Sequence, residues 1–280
     1  MLAEDILILI LLSSFFSFTL AFPIIKLLYK FGIVRHLEVD FSVLVESRKS
    51  KHGVPIMGGL VIVIPVIILN LIFSPAGITK IAVLVFGIIA LLGAFDDILN
   101  IYGKKRKVRS IRRTMKLIRV HKNLPYRIFL LATFPWQFYK RVFYILGSNP
   151  GKGLFAHEKI IVQIIAGLIA ASWIFFRVEW TNPGDLWVPF LGVVNISFLM
   201  IPFIVFVVAA MTNAVNIADG MDGLSAGLLL PAFGAFLAIA YHQEASTATT
   251  FADMPNVVLC SIVIGGLIAY LYFNIPPARF

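Results

Sequence analysis

Apolar segments of about twenty residues dominate this sequence, and they limit the folds that the chain can adopt. A chain segment in a bilayer forms a helix because its backbone polar groups must be satisfied internally there, and a helix needs about 20 mostly apolar residues to cross the hydrocarbon core. The composition agrees: 60% of residues are hydrophobic, 14% are charged, and the mean hydropathy is +0.94. The sequence predicts one all-α domain over 1–280, a polytopic membrane helix bundle with spans at roughly 6–28, 55–73, 79–98, 159–176, 196–215, 221–241 and 256–274.

An eighth apolar stretch, "IFLLATFPWQFYKRVFYIL" from Ile128, differs from these seven segments. Pro135 lies in its middle and is followed by Lys140 and Arg141, so its faces are mixed in polarity. Such a mixture is typical of a helix that lies in the plane of the membrane interface. We therefore predict an interfacial helix at 128–146, within a basic cytoplasmic loop at 99–153.

Lys and Arg residues indicate the side of the membrane on which each loop lies, because cytoplasmic loops carry an excess of them. With the N-terminus outside and seven crossings, 22 of the 24 Lys and Arg residues fall on the cytoplasmic side, and Lys80 and Arg177 fall outside. An additional span at 128–146 would place Asp96 and Asp219 on opposite sides. We therefore predict seven spans with the N-terminus outside.

The basic cytoplasmic face predicts anionic partners. It carries most of the net charge of +10, and such a face attracts anionic lipid headgroups and phosphorylated ligands. No nucleic acid is expected as a partner, because no aromatic residues are interleaved with the run "GKKRKVRSIRRTMKLIRVHK". Membrane lipids are the partners that this run predicts.

Polar residues at membrane depth form a second feature, and their usual meaning is functional. One pair ends the third apolar segment, and four more lie in "NAVNIADGMDGLSAG", where residues spaced three apart share a helix face. A helix N-cap at Asp222 would explain one acid but not the set. The predicted topology places these six residues on the cytoplasmic side together with Asn274 at the end of the last span: Asp96, Asp97, Asn213, Asn216, Asp219, Asp222 and Asn274.

Carboxylates beside a basic face suit phosphate chemistry. Mg²⁺ is usually held by one or two carboxylates together with substrate phosphates, and phosphoryl transfer needs cations on the transferred group. The stretch "SKHGVPIMGG" supplies Lys51, which can reach a phosphate, although a lone lysine beside a span is more often a membrane anchor. Gly53, Gly58 and Gly59 permit close approach to the backbone, and Pro55 suits the start of the second helix.

Together these stretches resemble the polyprenyl-phosphate N-acetylhexosamine-1-phosphate transferase superfamily, glycosyltransferase family 4. The motifs follow the family's order along most of the chain: "KHGVPIMGG", "GAFDDILN", "EKIIVQ", "NAVNIADGMDGL" and "FNIPPARF". The fourth motif is highly specific, and the Asp pair in the second is moderately so. The pattern is most similar to the phospho-N-acetylmuramoyl-pentapeptide transferase branch, for which ten membrane helices are expected.

This resemblance implies a reaction at the cytoplasmic face of a bacterial inner (plasma) membrane. A UDP-linked N-acetyl sugar gives its sugar-1-phosphate to a polyprenyl phosphate, and UMP is released, with Mg²⁺ as the cofactor. For this branch the sugar is MurNAc-pentapeptide, the acceptor is undecaprenyl phosphate, and the product is lipid I of peptidoglycan biosynthesis. The oligomeric state is left open, with a homodimer as one option.

The resemblance also implies roles for individual residues. Lys51 would contact phosphate, Asp97 would support the catalytic site, and Asp96 would act near the lipid phosphate as a base or a positioning group. Positioning is the simpler role, since a phosphate monoester is already largely ionised at pH 7. Asp96 and Asp219 would ligate Mg²⁺. Asn216, Asp219 and Asp222 would bind the nucleotide and its diphosphate, and Asn213 would also contact substrate. Asn274 would bind substrate and brace the site.

Three departures from the family pattern leave alternatives open. Val54 and Ile56 replace two threonines, and Asn100 stands where the branch has a lysine. These changes keep a UDP-GlcNAc:undecaprenyl-phosphate GlcNAc-1-phosphate transferase as the alternative function. Two other classes are a cation-coupled transporter, for which acids near the midplane and an internal repeat would be expected, and an inactive lipid-binding scaffold.

The family pattern continues beyond Phe280, the last residue of this chain. The resemblance implies that "FNIPPARF" is followed by a Phe-Met-Gly-Asp-like motif, whose Asp is a main Mg²⁺ ligand, and by a histidine-rich loop. We therefore expect a chain truncated at its C-terminal end relative to the family, with only weak Mg²⁺ binding. We also expect residues 1–280 to lack transferase activity, and a version extended through that motif to have it.

Overall fold

A computed structural model of the chain describes residues 2–35, 53–74, 77–104, 110–145, 152–177, 182–246, 248 and 250–280. Most of these residues are helical. The helices are α1 (Leu2–Lys30), α2 (Leu60–Phe73), α3 (Gly77–Tyr102), α4 (Ile111–Val120), α5 (Leu124–Ala132), α6 (Phe134–Ile145), α7 (Ala156–Arg177), α8 (Met200–Ala218), α9 (Leu224–Glu244) and α10 (Pro255–Asn274).

Six helices in the described part of the chain are long and apolar enough to cross a bilayer: α1, α3, α7, α8, α9 and α10. Each of them overlaps one of the predicted spans. The prediction of an all-α, polytopic membrane bundle is therefore confirmed.

The predicted span at 55–73 is only partly helical. Its helix, α2, has 14 residues, which corresponds to about 21 Å and is short of the ~30 Å hydrocarbon core. The preceding residues pair instead with the segment that follows α1: Val34 and Pro55 form an antiparallel bridge, and the Arg35 N–H donates to the Val54 carbonyl at 2.9 Å. Pro55 therefore does not start the helix, and that prediction was wrong.

The segment predicted as a basic loop contains three helices, α4 to α6, and 128–146 is not one helix. Thr133 separates α5 from α6. Charge obscured the helical pattern of α4, in which Ile111, Thr114 and Ile118 recur on one side between basic residues. The location of these helices at the membrane interface stays a prediction.

Two short antiparallel strands, β1 (Asp185–Val188) and β2 (Gly192–Asn195), form a hairpin between α7 and α8. These strands were not predicted from the sequence. Phe190, at the tip, has a φ of +68° and a fully exposed side chain. Each strand has only four residues, which is too short for a clear alternation of apolar and polar side chains. The hairpin was therefore predicted as part of an outer loop.

The chain divides into two compact units, with boundaries inside α3 and α7. The bundle unit comprises Met1–Ala94 and Gln163–Phe280, and the basic unit comprises Phe95–Val162. In the bundle unit, α10 is the central helix and packs against α1, α2 and α9. Its buried residues, including Val258, Ile262 and Leu267, meet Leu9 of α1 and Val66 of α2 in one core.

In the basic unit, α4, α5 and α6 pack against one another. The buried Thr114 side chain of α4 donates to Gln137 Oε1 of α6 at 2.8 Å. The side chain of Leu130 in α5 is completely buried. A ring cluster, in which Trp136, Tyr139 and Phe155 surround the buried His157, joins α6 to the start of α7.

The orientation of the termini stays a prediction from the 22-to-2 division of Lys and Arg residues, and cysteine labelling tests it. A cysteine in place of Lys105, which lies outside the described residues, is expected to react with impermeant thiol reagents only from the cytoplasmic side. A cysteine in place of Asp185 is expected to react only from outside. The single native cysteine, Cys260, is buried and should contribute little background. The opposite labelling pattern would overturn the predicted topology.

Candidate active site

A five-residue turn, 219–223, carries the central acids of the candidate site in the bundle unit. Helix α8 ends at Ala218 and α9 begins at Leu224. Gly223 holds the N-cap position of α9 with a φ of +75°, a conformation that glycine adopts without steric cost. The alternative prediction, in which Asp222 is the N-cap of this helix, was therefore wrong, because Gly223 holds that position.

Asn274 anchors this turn to the end of α10. Its Oδ1 accepts a hydrogen bond from the Gly223 N–H at 2.7 Å, and its Nδ2 lies 3.4 Å from the Phe280 carbonyl oxygen, to which it donates. The Asn274 side chain is buried. The contact ties the acid-bearing turn to the most buried helix of the unit, and the bracing role expected for Asn274 in the active site stays a prediction.

Loss of this anchor is expected to loosen the turn. In an Asn274→Ala variant, the half-buried Gly223 N–H loses its acceptor, at a cost of about 1 kcal/mol. Hydrogen exchange of the peptide containing the turn should accelerate, and the free energy of unfolding should fall. The matched control is Asn256→Ala at the other end of α10, whose exposed side chain donates to Glu244. Equal effects from the two changes would contradict the anchoring role.

Asp219 and Ser225 form a second contact within the same region. The hydroxyl of the buried Ser225 donates to Asp219 Oδ1 at 2.8 Å. The residue Asp219 is otherwise exposed, as is Asn216 one helical turn earlier, whereas Asp222 is half-buried. A carboxylate oriented by a buried hydroxyl, on an exposed turn, is available to a ligand that approaches the end of α8.

Asn213 lies deeper on α8, where it makes contacts within the protein. Its Nδ2 donates to Gln163 Oε1 of α7 at 2.9 Å and to the Ala209 carbonyl at 2.8 Å. Gln163 itself is buried. These bonds link α8 to α7, so the structure supports a positioning contribution by Asn213, and its expected contact with substrate stays a prediction.

Asp96 lies in the basic unit, at the C-terminal part of α3, and both of its carboxylate oxygens have protein partners. Lys159 Nζ of α7 is 2.6 Å from Oδ2, and the Leu154 N–H donates to Oδ1 at 2.8 Å. Gly153 packs so closely against this carboxylate that a Cβ atom there would lie 2.6 Å from Oδ1. The carboxylate is thus held in one orientation, next to a half-buried Asp97.

The first motif, "KHGVPIMGG", was predicted to contact phosphate and to let a ligand approach its backbone closely. Lys51 lies outside the described residues, so its phosphate contact stays a prediction. Gly58 faces the chain itself: a Cβ there would lie 2.7 Å from the Phe280 side chain. The close approach that Gly58 permits is therefore to Phe280, whose ring stacks near Tyr270.

The donor chemistry of the turn fits Mg²⁺. In the described part of the chain no group of three His, Cys, Asp or Glu side chains is arranged to hold a metal ion. However, one or two carboxylates with substrate phosphates suffice for Mg²⁺, and Asp219 and Asp222 share the turn. Asp96 fits less well, because Lys159 would have to give up its contact; its role as a metal ligand stays a prediction.

Three residues in these contacts were not predicted as site residues: Lys159, Gln163 and Ser225. Lys159 and Gln163 both lie in "EKIIVQ", and a charged residue at the start of an apolar helix was a signal that could have singled out Lys159. Ser225 gave no such signal, because a serine two residues into a helix is common near its N-terminus.

Comparisons with known proteins point to one family. The sequence model of glycosyl transferase family 4 matches residues 151–280. The phospho-N-acetylmuramoyl-pentapeptide-transferase of Clostridium novyi is 28% identical over 262 residues, which cover 91% of this chain and 62% of that protein. The enzyme of the same name from Desulfotalea psychrophila is 24% identical, covering 84% and 55%.

A shorter match has higher identity. The phospho-N-acetylmuramoyl-pentapeptide-transferase of Lactobacillus helveticus is 40% identical over 131 residues, which cover 45% of this chain and 36% of that protein. The chain therefore spans less than two thirds of the length of these relatives.

Proposed function

Because the chain belongs to glycosyl transferase family 4, we propose that it takes part in glycosyl-1-phosphate transfer from a UDP-linked N-acetyl sugar to a polyprenyl phosphate. The observation that carries this proposal is the turn 219–223, where Asp219 and Asp222 lie together on a segment anchored by Asn274. This turn and its anchor both lie within the region that matches the family.

The turn suits the diphosphate of a nucleotide sugar. Asp219 and Asp222 would hold Mg²⁺, which when bound neutralises charge on the diphosphate and on the departing UMP. The Ser225 hydroxyl orients the carboxylate of Asp219, and Asn274 holds the backbone of the turn. Pre-oriented groups of this kind stabilise a developing charge without reorganising during the reaction.

In the basic unit, the ion pair between Asp96 and Lys159 supports a positioning role for Asp96. Its carboxylate lies 2.6 Å from the Lys159 ammonium group, and a phosphate monoester acceptor is already largely ionised at neutral pH. A base is therefore not needed to generate the nucleophile. Lys159 adds a cation that attracts a phosphate, which partly offsets the Asn100 substitution in the motif "GAFDDILN".

For the finer substrates we propose UDP-MurNAc-pentapeptide and undecaprenyl phosphate, with lipid I and UMP as the products. The names of the relatives, phospho-N-acetylmuramoyl-pentapeptide-transferases, support this choice. We place the reaction at the cytoplasmic face of a bacterial inner membrane, because the Lys and Arg division puts the acids on that side. UDP-GlcNAc is the alternative donor that Val54 and Ile56 leave open.

The test measures binding and turnover in nanodiscs that contain undecaprenyl phosphate. The 280-residue chain and a version continuing through the motif expected after Phe280 are compared with radiolabelled UDP-MurNAc-pentapeptide and UDP-GlcNAc. We expect Mg²⁺-dependent UMP release and a labelled lipid from the first donor in the longer version, and nucleotide binding in both. Transfer from UDP-GlcNAc alone would select the alternative, and neither binding nor transfer from either donor would refute the proposal.

A further inference from the structure

Helix α4 of the basic unit carries a stripe of cations that the proposed reaction does not use. Four exposed residues, spaced so that they share one side of the helix, form this basic stripe: Arg112, Arg113, Lys116 and Arg119. The opposite side of α4 carries the buried Thr114, which contacts α6. The packing of the unit therefore turns the basic stripe outward.

Helix α5 presents an exposed apolar face. Its members are Leu124, Ile128, Phe129 and Leu131, which are 61%, 58%, 60% and 56% exposed, whereas Leu130 on the opposite side is 0% exposed. The helix has nine residues, and most of its large apolar side chains are exposed. A helix packed only within its own unit would bury most of them. The apolar face needs a partner outside the unit.

The basic stripe and the apolar face belong to consecutive helices with a short connection. Only His121, Lys122 and Asn123 join α4 to α5, and the His121 ring lies 4.6 Å from that of Tyr126. The two helices also pack against each other. A surface that meets one of them is therefore within reach of the other.

Charge and chain connectivity favour an anionic bilayer as that surface. Between residues 95 and 162 the sequence has 15 Lys and Arg residues and three acids. Both ends of the unit continue into α3 and α7, which are long and apolar enough to span a membrane. Trp136, with Lys140 5.0 Å from its ring, adds a residue type that is enriched at membrane interfaces.

We propose that α4 and α5 bind the surface of an anionic bilayer, with the basic stripe near lipid phosphates and the apolar face at the boundary between headgroups and acyl chains. Amphipathic helices of this kind bind through buried apolar area together with attraction to anionic lipids. Each Lys or Arg close to such a surface contributes roughly fivefold to binding, equivalent to about 1 kcal/mol. The inference does not depend on the proposed transferase reaction.

The experiment uses the whole chain in nanodiscs, with Cys260→Ser as background and Ile128→Cys labelled with an environment-sensitive fluorophore. Lipids with spin labels near the headgroup should quench this fluorophore strongly in bilayers containing phosphatidylglycerol and weakly in pure phosphatidylcholine. Raising the salt from about 0.1 M to 1 M shortens the Debye length from about 10 Å to 3 Å, and should reduce the quenching.

Two charge variants show whether the basic stripe causes the dependence of quenching on phosphatidylglycerol. Replacing Arg112, Arg113, Lys116 and Arg119 by Gln should abolish the dependence on phosphatidylglycerol. Replacing four exposed cations of the bundle unit by Gln (Lys26, Lys30, Lys80 and Arg279) changes net charge equally and should leave it intact. If both variants lost the dependence on phosphatidylglycerol equally, the proposal would be overturned. It would also be overturned if the fluorophore were shielded equally in every bilayer, because that result would indicate a protein partner or a second copy of the chain.

Discussion

Replacing Asp219 or Asp222 by Asn is expected to lower the transfer rate by about 10²–10³, the usual loss when one pre-oriented charge-stabilising group is removed. Asn keeps the shape of the side chain, so folding should be preserved. At position 219 the amide can still accept the Ser225 hydrogen bond. The rate is measured as Mg²⁺-dependent UMP release in the longer version, and nucleotide affinity is measured in the 280-residue chain.

A matched control for this change is Asp185→Asn in the hairpin of the same unit. Asp185 accepts a hydrogen bond from Asn195 Nδ2 at 2.6 Å, so it too is an acid that contacts a neutral side chain. The control should leave both rate and affinity unchanged. If both Asn variants at the turn kept near wild-type turnover, the assignment of the turn as the metal and diphosphate site would be wrong.

Replacing Gly265 by Val is expected to give the largest loss of stability in the bundle unit. A Cβ at this position of α10 would meet the Ile10 carbonyl oxygen, and would lie 2.7 Å from Ser13 Cβ and 2.9 Å from the Ser14 N–H nitrogen of α1. Two of these atoms belong to the backbone and cannot rotate away. Overpacking costs about 1–3 kcal/mol in well-packed interiors, and here it would also strain the hydrogen bond from Ser13 to the Ile262 carbonyl.

The stability is measured by thermal unfolding in detergent, together with the yield of monodisperse protein. Gly234→Val in α9 is the matched control, because a Cβ built there has no heavy atom within 4 Å apart from its chain neighbours and the nearby backbone of its own helix. Both changes place the same side chain in an apolar helix. A Gly265→Val variant that unfolds at the same temperature as the control would show that α1 and α10 do not pack as closely as the structure has them.

The candidate site illustrates which contacts spacing can predict. Asp219, Asp222 and Asn274 were predicted from motifs, and the structure brings the turn and Asn274 together through a hydrogen bond at Gly223. Their partners were not predictable in the same way. Ser225 is an ordinary residue for the start of a helix, and its importance depends on the direction in which the turn points the Asp219 carboxylate.

The basic segment between α3 and α7 was predicted less well, for a related reason. The charges of this segment suggested a solvated loop. However, apolar residues at helical spacing between the charges form α4, and Thr133 divides the apolar stretch that follows α4 into α5 and α6. Helices of nine to twelve residues are marginal alone. They are stable here because they pack on one another, which no single segment encodes.

The sequence by itself determined the class of the protein, the approximate position of the six long apolar helices that the structure describes, and the motifs of the family. Those features are local, since the length and hydrophobicity of one segment decide whether it can cross a bilayer. Only the tertiary structure decided that Lys159 pairs with Asp96, that Gln163 holds Asn213, and that Phe280 fills the space beside Gly58. These contacts join residues far apart in the chain, so they depend on how whole helices pack.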